Sequence, residues 1–415
     1  MVGACATTML GDLAGSTAAR RIDLTALIVG GSGAERLARS LGVTSRDRVP
    51  SYGSRPWLGL GSLRRYLAEV GPVDLIHCWS LPTLAMAMLG APGILRVLTL
   101  TSEPIGREQG RWLSVLNATG RAPLTILAAS NCIKRAWAHA GVDPSLMHVL
   151  RPGLDLTRVE PARRDSLRMD WGVQSSGTTV VLVPAQHGRC IDAARASSIL
   201  ACGTLSGLDL AMIVPANAAR RSAARVLVHG GGSPDRLIFD ARLERPWEVL
   251  PGCDVVLSLG DDTASVDAEC RPAEIAPTPL RQALAAARTL LGGPPPIRPG
   301  QLLGVLPMLW AAAAGKAVIA EAGYAVAEVV ENGKTALVVK PGDNGAVVER
   351  LRELIDDPHK RWSLRDAARS EAFSFFSPSR YAENLITVYE QMLTSRPIEI
   401  PALPMTGGLA FAGRR

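Results

Sequence analysis

A glycine-rich run, Gly30–Gly31–Ser32–Gly33, follows the apolar stretch Leu24–Val29 and precedes a helix-type stretch, Ala34–Ser40. Glycines let a ligand approach the backbone closely, and free amides at a helix start attract anions. The run is therefore a candidate loop for a phosphate or for an acceptor group, with a plain turn between strand and helix as the alternative. His77 stands near the end of a second apolar run, Val73–Cys78. Ligands in open α/β sheets gather beyond the carboxyl ends of strands, so His77 is a candidate catalytic residue; a packed strand-end histidine is its alternative. Five acids, Asp261, Asp262, Asp267, Glu269 and Glu274, crowd one loop-type stretch, where solvated side chains are the ordinary reading. The seven cysteines, at 5, 78, 132, 190, 202, 253 and 270, form no C-x-x-C pair and are odd in number. That argues against structural zinc and against a disulfide framework. No metal is expected, and the thiols are expected to be reduced.

Short β-type runs alternate with longer helix-type runs, the pattern of parallel βαβ units. In the first half the expected strands are Leu24–Val29, Val73–Cys78, Val97–Thr101, Thr125–Ala129 and Met147–Leu150. In the second half they are Thr179–Val183, Leu210–Val214, Arg236–Phe239, Val255–Ser258, Ala317–Ala320 and Ala336–Val339. Leu24–Val29 reads as the first strand of its domain, or as the second after a leading helix over residues 1–20. The class is α/β, with two Rossmann-like, doubly wound domains. The 415 residues suit two cores of about 150 to 200 residues each. Residues 1–160 make the first domain and 161–378 the second. The turn Arg151–Asp155 and the polar, arginine-rich stretch to about 175 read as an exposed connection. An insertion with one helix, Pro279–Leu291, spans about 260–300, and 395–415 reads as a flexible tail.

Apolar residues make up 47% of the chain and charged residues 20%, which excludes global disorder. The net charge of +7 comes from scattered arginines, without the local basic run of a nucleic-acid arm, so nucleic-acid binding is not expected. A mildly basic cleft suits a diphosphate-bearing substrate or peripheral contact with a membrane, with a solvated surface carrying surplus arginine as the more ordinary alternative. No apolar run approaches the roughly 20 residues of a membrane span and no leader pattern opens the chain, so a cytoplasmic protein is expected.

Residues 311–320, Ala-Ala-Ala-Ala-Gly-Lys-Ala-Val-Ile-Ala, and 323–343, from Gly323 through Glu328 and Gly333 to Asp343, form one ordered series. It resembles the stretch of family 4 (group 1) glycosyltransferases written EAMAAGKPVVAS and GGIPEVVEDGxTGLLVPPGD. The helix-type runs that follow, Phe376–Ser377 and Tyr381–Leu393 resemble that family's closing segments. Val73–Ser80 is similar to its PDVVHAHS, His148–Asp155 to its IHVIPNGVD and Cys253–Ser258 to its ADVFVLPS. The resemblance spans about residues 70–394.

The resemblance implies a glycosyltransferase B fold: two Rossmann-like domains facing a cleft, with the last helix, 379–394, crossing back to the first domain. It also implies a nucleotide-sugar donor on the second domain, no cofactor and no metal, since such enzymes stabilise the departing diphosphate with basic side chains. The family's basic pair maps to the segment Val183–Arg189. One member falls on Ala185, while Arg189 keeps the second charge, with His187 beside it. Gly323 and Glu328 fall near the donor phosphates. The family's two glutamates, seven residues apart, fall on Leu302 and Trp310, and an indole only donates hydrogen bonds. The chain thus resembles a family member divergent at its donor site. The expected function is transfer of a sugar from a nucleoside diphosphate donor to an unknown acceptor, in cell-envelope glycan or glycolipid synthesis. Its alternatives are an inactive, binding or scaffold relative and, less favoured, a sugar-phosphate epimerase.

Overall fold

The computed structural model describes residues 28–29, 48–49, 60–101, 104, 107–154, 159, 163–173, 175–184, 193–216, 218, 224, 234–259, 301–323 and 326–401. The chain divides into two compact units, one built on Met1–Asp155 with Phe376–Ala402, the other on Leu156–Glu274 with Leu303–Phe375.

In the first unit β1 (Ile28–Val29) and β2 (Arg48–Val49) pair in parallel. A parallel sheet follows, in the order β3 (Leu75–Cys78), β4 (Leu95–Leu100), β5 (Leu124–Ala128), β6 (Met147–Val149). Helix α1 (Leu60–Val70) precedes β3, and α2 (Leu81–Gly90), α3 (Arg107–Thr119) and α4 (Asn131–His139) connect successive strands. Crossover helices cover both faces of a parallel sheet, which is why β5 is buried along its whole length and β4 at all but its first residue. β3, at the edge, is half-buried. Ser80 starts α2 with a capping box shared with Thr83, and Ser130 starts α4 by accepting the Ile133 N–H at 3.1 Å.

The C-terminal helix, Pro378–Leu393, belongs to this first unit, as the resemblance implies. It buries Tyr381, Leu385, Ile386, Val388 and Tyr389. Its approach is fixed by a hydrogen bond from Leu154 N–H to the Phe376 carbonyl at 2.9 Å. At Gly153 a β-carbon would lie 2.7 Å from Pro378 Cα and 2.9 Å from Tyr381 Cβ, so only glycine admits the helix this close.

The second unit opens with α5 (Arg164–Asp170) and continues β7 (Thr179–Leu182), α6 (Ala193–Leu205), β8 (Leu210–Pro215), β9 (Leu237–Asp240), α7 (Pro246–Val249) and β10 (Val255–Ser258). It closes with α8 (Gln301–Ala313), β11 (Ala317–Glu321), β12 (Leu337–Val339), α9 (Asn344–Asp356) and α10 (Pro358–Phe375). Its six parallel strands lie in the order β12-β11-β10-β7-β8-β9. Successive strands run outward from β7 to one side, then outward from β10 to the other. That is the doubly wound order, with its reversal between β7 and β10. β7, β8, β10 and β11 are buried throughout, whereas the edge strands β9 and β12 are partly open.

The polar stretch after Asp155 was expected as an exposed connection, and residues 163–166, Met169, Asp170 and Gly172 are exposed, but one face of α5 is docked. Leu167, Arg168 and Trp171 are buried. Arg168 donates to Asp254 and to the Ser175 and Thr178 carbonyls, so its charge is spent inside the unit. Arginine there signals a hub between α5 and the sheet, a role that composition cannot separate from solvation. The leading helix over 1–20, the insertion 260–300 with its helix 279–291, and the tail beyond 401 lie outside the described residues.

Candidate functional site

In the second unit the carboxyl ends of β7 and β10 flank the order reversal, where ligands bind in open sheets of this kind. Past β7 the chain is buried through Val183 and Pro184, and past β10 through Leu259. The segments beyond, 185–192 and 260–300, lie outside the described residues, and with them Ala185, His187, Arg189 and the acids Asp261, Asp262, Asp267, Glu269 and Glu274. Gly30, Gly31, Ser32 and Gly33, directly after β1, lie outside them as well.

The neighbouring strand β11 carries the described part of the site. It ends at Glu321, and Ala322 and Gly323 lead into a single helical turn, Val326–Glu328. The Gly323 carbonyl accepts Ala327 N–H at 3.0 Å, and the Val326 carbonyl accepts both Val329 and Val330 N–H at 3.0 Å. Val326 is buried and anchors the turn, and Glu328 is half-buried at its end. Gly323 has no positive φ, and among the described residues a β-carbon there would meet only Val326 Cγ2 at 4.0 Å.

Two charged residues that sequence reading passed over stand at this edge. Glu321 is fully buried and receives the Arg195 guanidinium from the first turn of α6. Glu321 Oε1 also accepts Gly342 N–H at 2.9 Å, and Arg195 Nε donates to Asn344 Oδ1 at 3.1 Å. A lone arginine in the small-residue run Ala193–Leu205, and an acid closing the apolar run Ala317–Ala320, were the signals available.

Leu302 lies in α8, and Trp310, near the end of that helix, is 4% exposed. Its ring packs on Trp247 of α7, with centroids 5.1 Å apart and planes tilted by 46°. The position that holds a carboxylate in the resembled motif is here part of an apolar core.

In the first unit His77 lies in β3 under the C-terminal helix. One ring nitrogen, Nδ1, shares a hydrogen bond with the Tyr389 hydroxyl at 2.6 Å, and Nε2 shares one with Thr99 Oγ1 at 2.7 Å. The ring stacks on Trp79 at 4.6 Å. Burial lowers its pKa to about 3, so the imidazole is neutral, with one nitrogen donating and the other accepting. The geometry speaks against the catalytic expectation for His77: one ring nitrogen is engaged by Tyr389 of the last helix and the other by Thr99 of β4.

Comparison with known proteins agrees with this fold. A family model for group 1 glycosyl transferases matches residues 306–371, from α8 through β11, β12 and α9 into α10. A model for glycosyltransferase family 4 matches residues 6–158. A glycosyltransferase of Rickettsia africae superposes with a TM-score of 0.66 at 14% identity, over 95% of this chain and 96% of that one. HepE of Anabaena, solved with UDP and glucose, superposes with a TM-score of 0.63 at 16% identity, over 94% of this chain and 96% of that one. Spore coat protein SA of Bacillus subtilis is 37% identical over 82 residues, 20% of this chain and 22% of that protein's length. The two family models fall in chain order on the two units and together take in more than half of the sequence. The chain belongs to the group 1, family 4 glycosyltransferases, with the glycosyltransferase B fold.

Proposed function

We propose that this protein transfers a sugar from a nucleoside diphosphate sugar to an acceptor of the cell envelope, a glycan or a glycolipid. The observation that carries the reading is the doubly wound strand order of the second unit, with the matched stretch 306–371 supplying its carboxyl edge. HepE, of the same fold, was solved with UDP and with UDP-glucose, which supports a uridine nucleotide as the first donor to test. Backbone amides of the turn after Gly323 would face the diphosphate, with Glu328 at its end and Arg189, beside His187, as the neutralising cation. No metal and no cofactor enter this reading, because chemistry of this type needs positioning and charge stabilisation of the leaving diphosphate. Gly30–Gly33 would serve the acceptor side.

A cytoplasmic protein at a membrane surface fits such an acceptor. Arg107, Arg111 and Val115 recur every fourth residue along α3 and are all exposed, with Val115 at 60%. That face suits anionic headgroups. Among the described residues no helix is long and apolar enough to cross a membrane.

A second reading, a binding or scaffold protein that keeps the fold without transfer, is favoured by the burial of Trp310 against Trp247. Calorimetric and thermal-shift titration with UDP, GDP and their sugars separates the two. Stabilisation by one base, lost in Arg189→Ala, supports the transferase; a folded protein that responds to none of them supports the scaffold.

A further inference from the structure

Burying a carboxylate and a guanidinium costs more desolvation than their attraction returns, unless the geometry is good and further hydrogen bonds complete it. At Glu321 and Arg195 both conditions hold. The contact is a two-pronged fork, with Nη1 donating to Oε2 at 3.1 Å and Nη2 to Oε1. Glu321 is 0% exposed and Arg195 11%. Gly342, in the left-handed region at φ +81°, turns its N–H onto the same carboxylate, and Asn344, the first residue of α9, takes the third edge of the guanidinium.

Four pieces of backbone therefore meet at one ion pair: the first turn of α6, the end of β11, the turn after β12 and the start of α9. Apolar side chains of similar size would hold them together with less desolvation cost. What apolar side chains would not supply is a fixed direction and length, which a planar fork does. The pair's place in the chain says what needs fixing. Glu321 stands two residues ahead of Gly323, and Arg195 follows the segment 185–192.

We propose that Arg195 and Glu321 are a positioning pair for the donor: they set the spacing between the Gly323–Glu328 turn and the start of α6, and so the affinity for the diphosphate. The proposal rests on the transferase reading above. The guanidinium is directed at Glu321 and Asn344, so the pair acts through the backbone it holds.

The test is calorimetric titration with UDP, together with donor kinetics using the active nucleotide sugar. The variants are Arg195→Lys, Glu321→Gln and the double variant Arg195→Met with Glu321→Met. Lysine keeps the charge and loses the fork. Because small misplacements in a site are costly, UDP affinity should fall about tenfold and the donor KM rise by about the same factor, with kcat changed less than about threefold. The double variant should melt at or above the wild-type temperature and still bind UDP about tenfold more weakly, which a purely structural pair would not do. It carries the test alone if Arg195→Lys does not fold. Wild-type affinity in all folded variants overturns the positioning role and leaves the transferase reading intact. A wild-type protein that binds none of UDP, GDP or their sugars overturns that reading, and the pair's role with it.

Discussion

Burial holds His77 neutral, with a pKa of about 3 against the ordinary 6.5. A proton carrier works best with a pKa near the working pH, so this imidazole is suited to holding structure. Its cost shows in acid. Between pH 6.5 and about 3 the unfolded chain takes up a proton at this site and the folded chain does not. Stability is therefore complete above pH 6.5 and declines as pH falls through that window, by about 1.4 kcal/mol per unit at most. Denaturant titrations of wild type and His77→Asn across the window should show a steeper loss in the wild type than in the variant, over the slope that carboxylates such as Asp240 give to both; equal slopes would mean the ring is not held neutral. Tyr389→Phe leaves a buried ring nitrogen without its partner and should cost about 1 to 3 kcal/mol at pH 7. Little of this was legible in sequence: a histidine at a strand end announces its position, but the partner that decides its chemistry lies 312 residues away.

Strands were the most legible elements. Each expected strand has a counterpart among the described residues, Leu24–Val29 only at Ile28–Val29, because central strands of a parallel sheet are buried on both faces and read as unbroken apolar runs, as Thr179–Leu182 and Val255–Ser258 do. Arg48–Val49 was missed, since an Arg-Val pair before proline shows no such run. Arg195 and Glu321 escaped because a charge inside an apolar element reads as an element boundary until its partner is seen. The closing helix was legible from the resemblance of Phe376–Ser377 and Tyr381–Leu393 to the family's closing segments. Ser377 accepts the Arg380 N–H at 3.4 Å, and Ser377→Ala should cost about 1 kcal/mol. Gly153→Ala is the sharper test of this element. Its β-carbon would strike the backbone of Pro378, which cannot swing aside as a side-chain tip can. A loss of about 1 to 3 kcal/mol is expected, with faster proteolysis near Phe376, the point where the helix begins its approach. An unchanged melting temperature and cleavage pattern would show that the helix can shift to make room.

For the molecule as a whole, strand order is the property that local sequence could not supply. The reversal between β7 and β10 exists only once six strands have paired, and it decides where a donor can sit. If a nucleoside diphosphate binds there, hydrogen exchange with UDP should slow from Ala317 to Asn344 and in the first turn of α6, while α1 to α4 exchange as before. Protection confined to the first unit would place the ligand elsewhere. The return of the last helix also has a consequence for how the protein is made. Ribosomal synthesis delivers the first unit's strands early, yet Tyr389 and Leu385, which bury part of that unit, emerge only after the second unit's strands and helices up to Phe375 have been translated. Until then the nascent first unit presents an uncovered apolar seat around β3 and Gly153. A chain stalled or truncated before Phe376 should be released complete in its second half and unfinished in its first, and so become a client for chaperones.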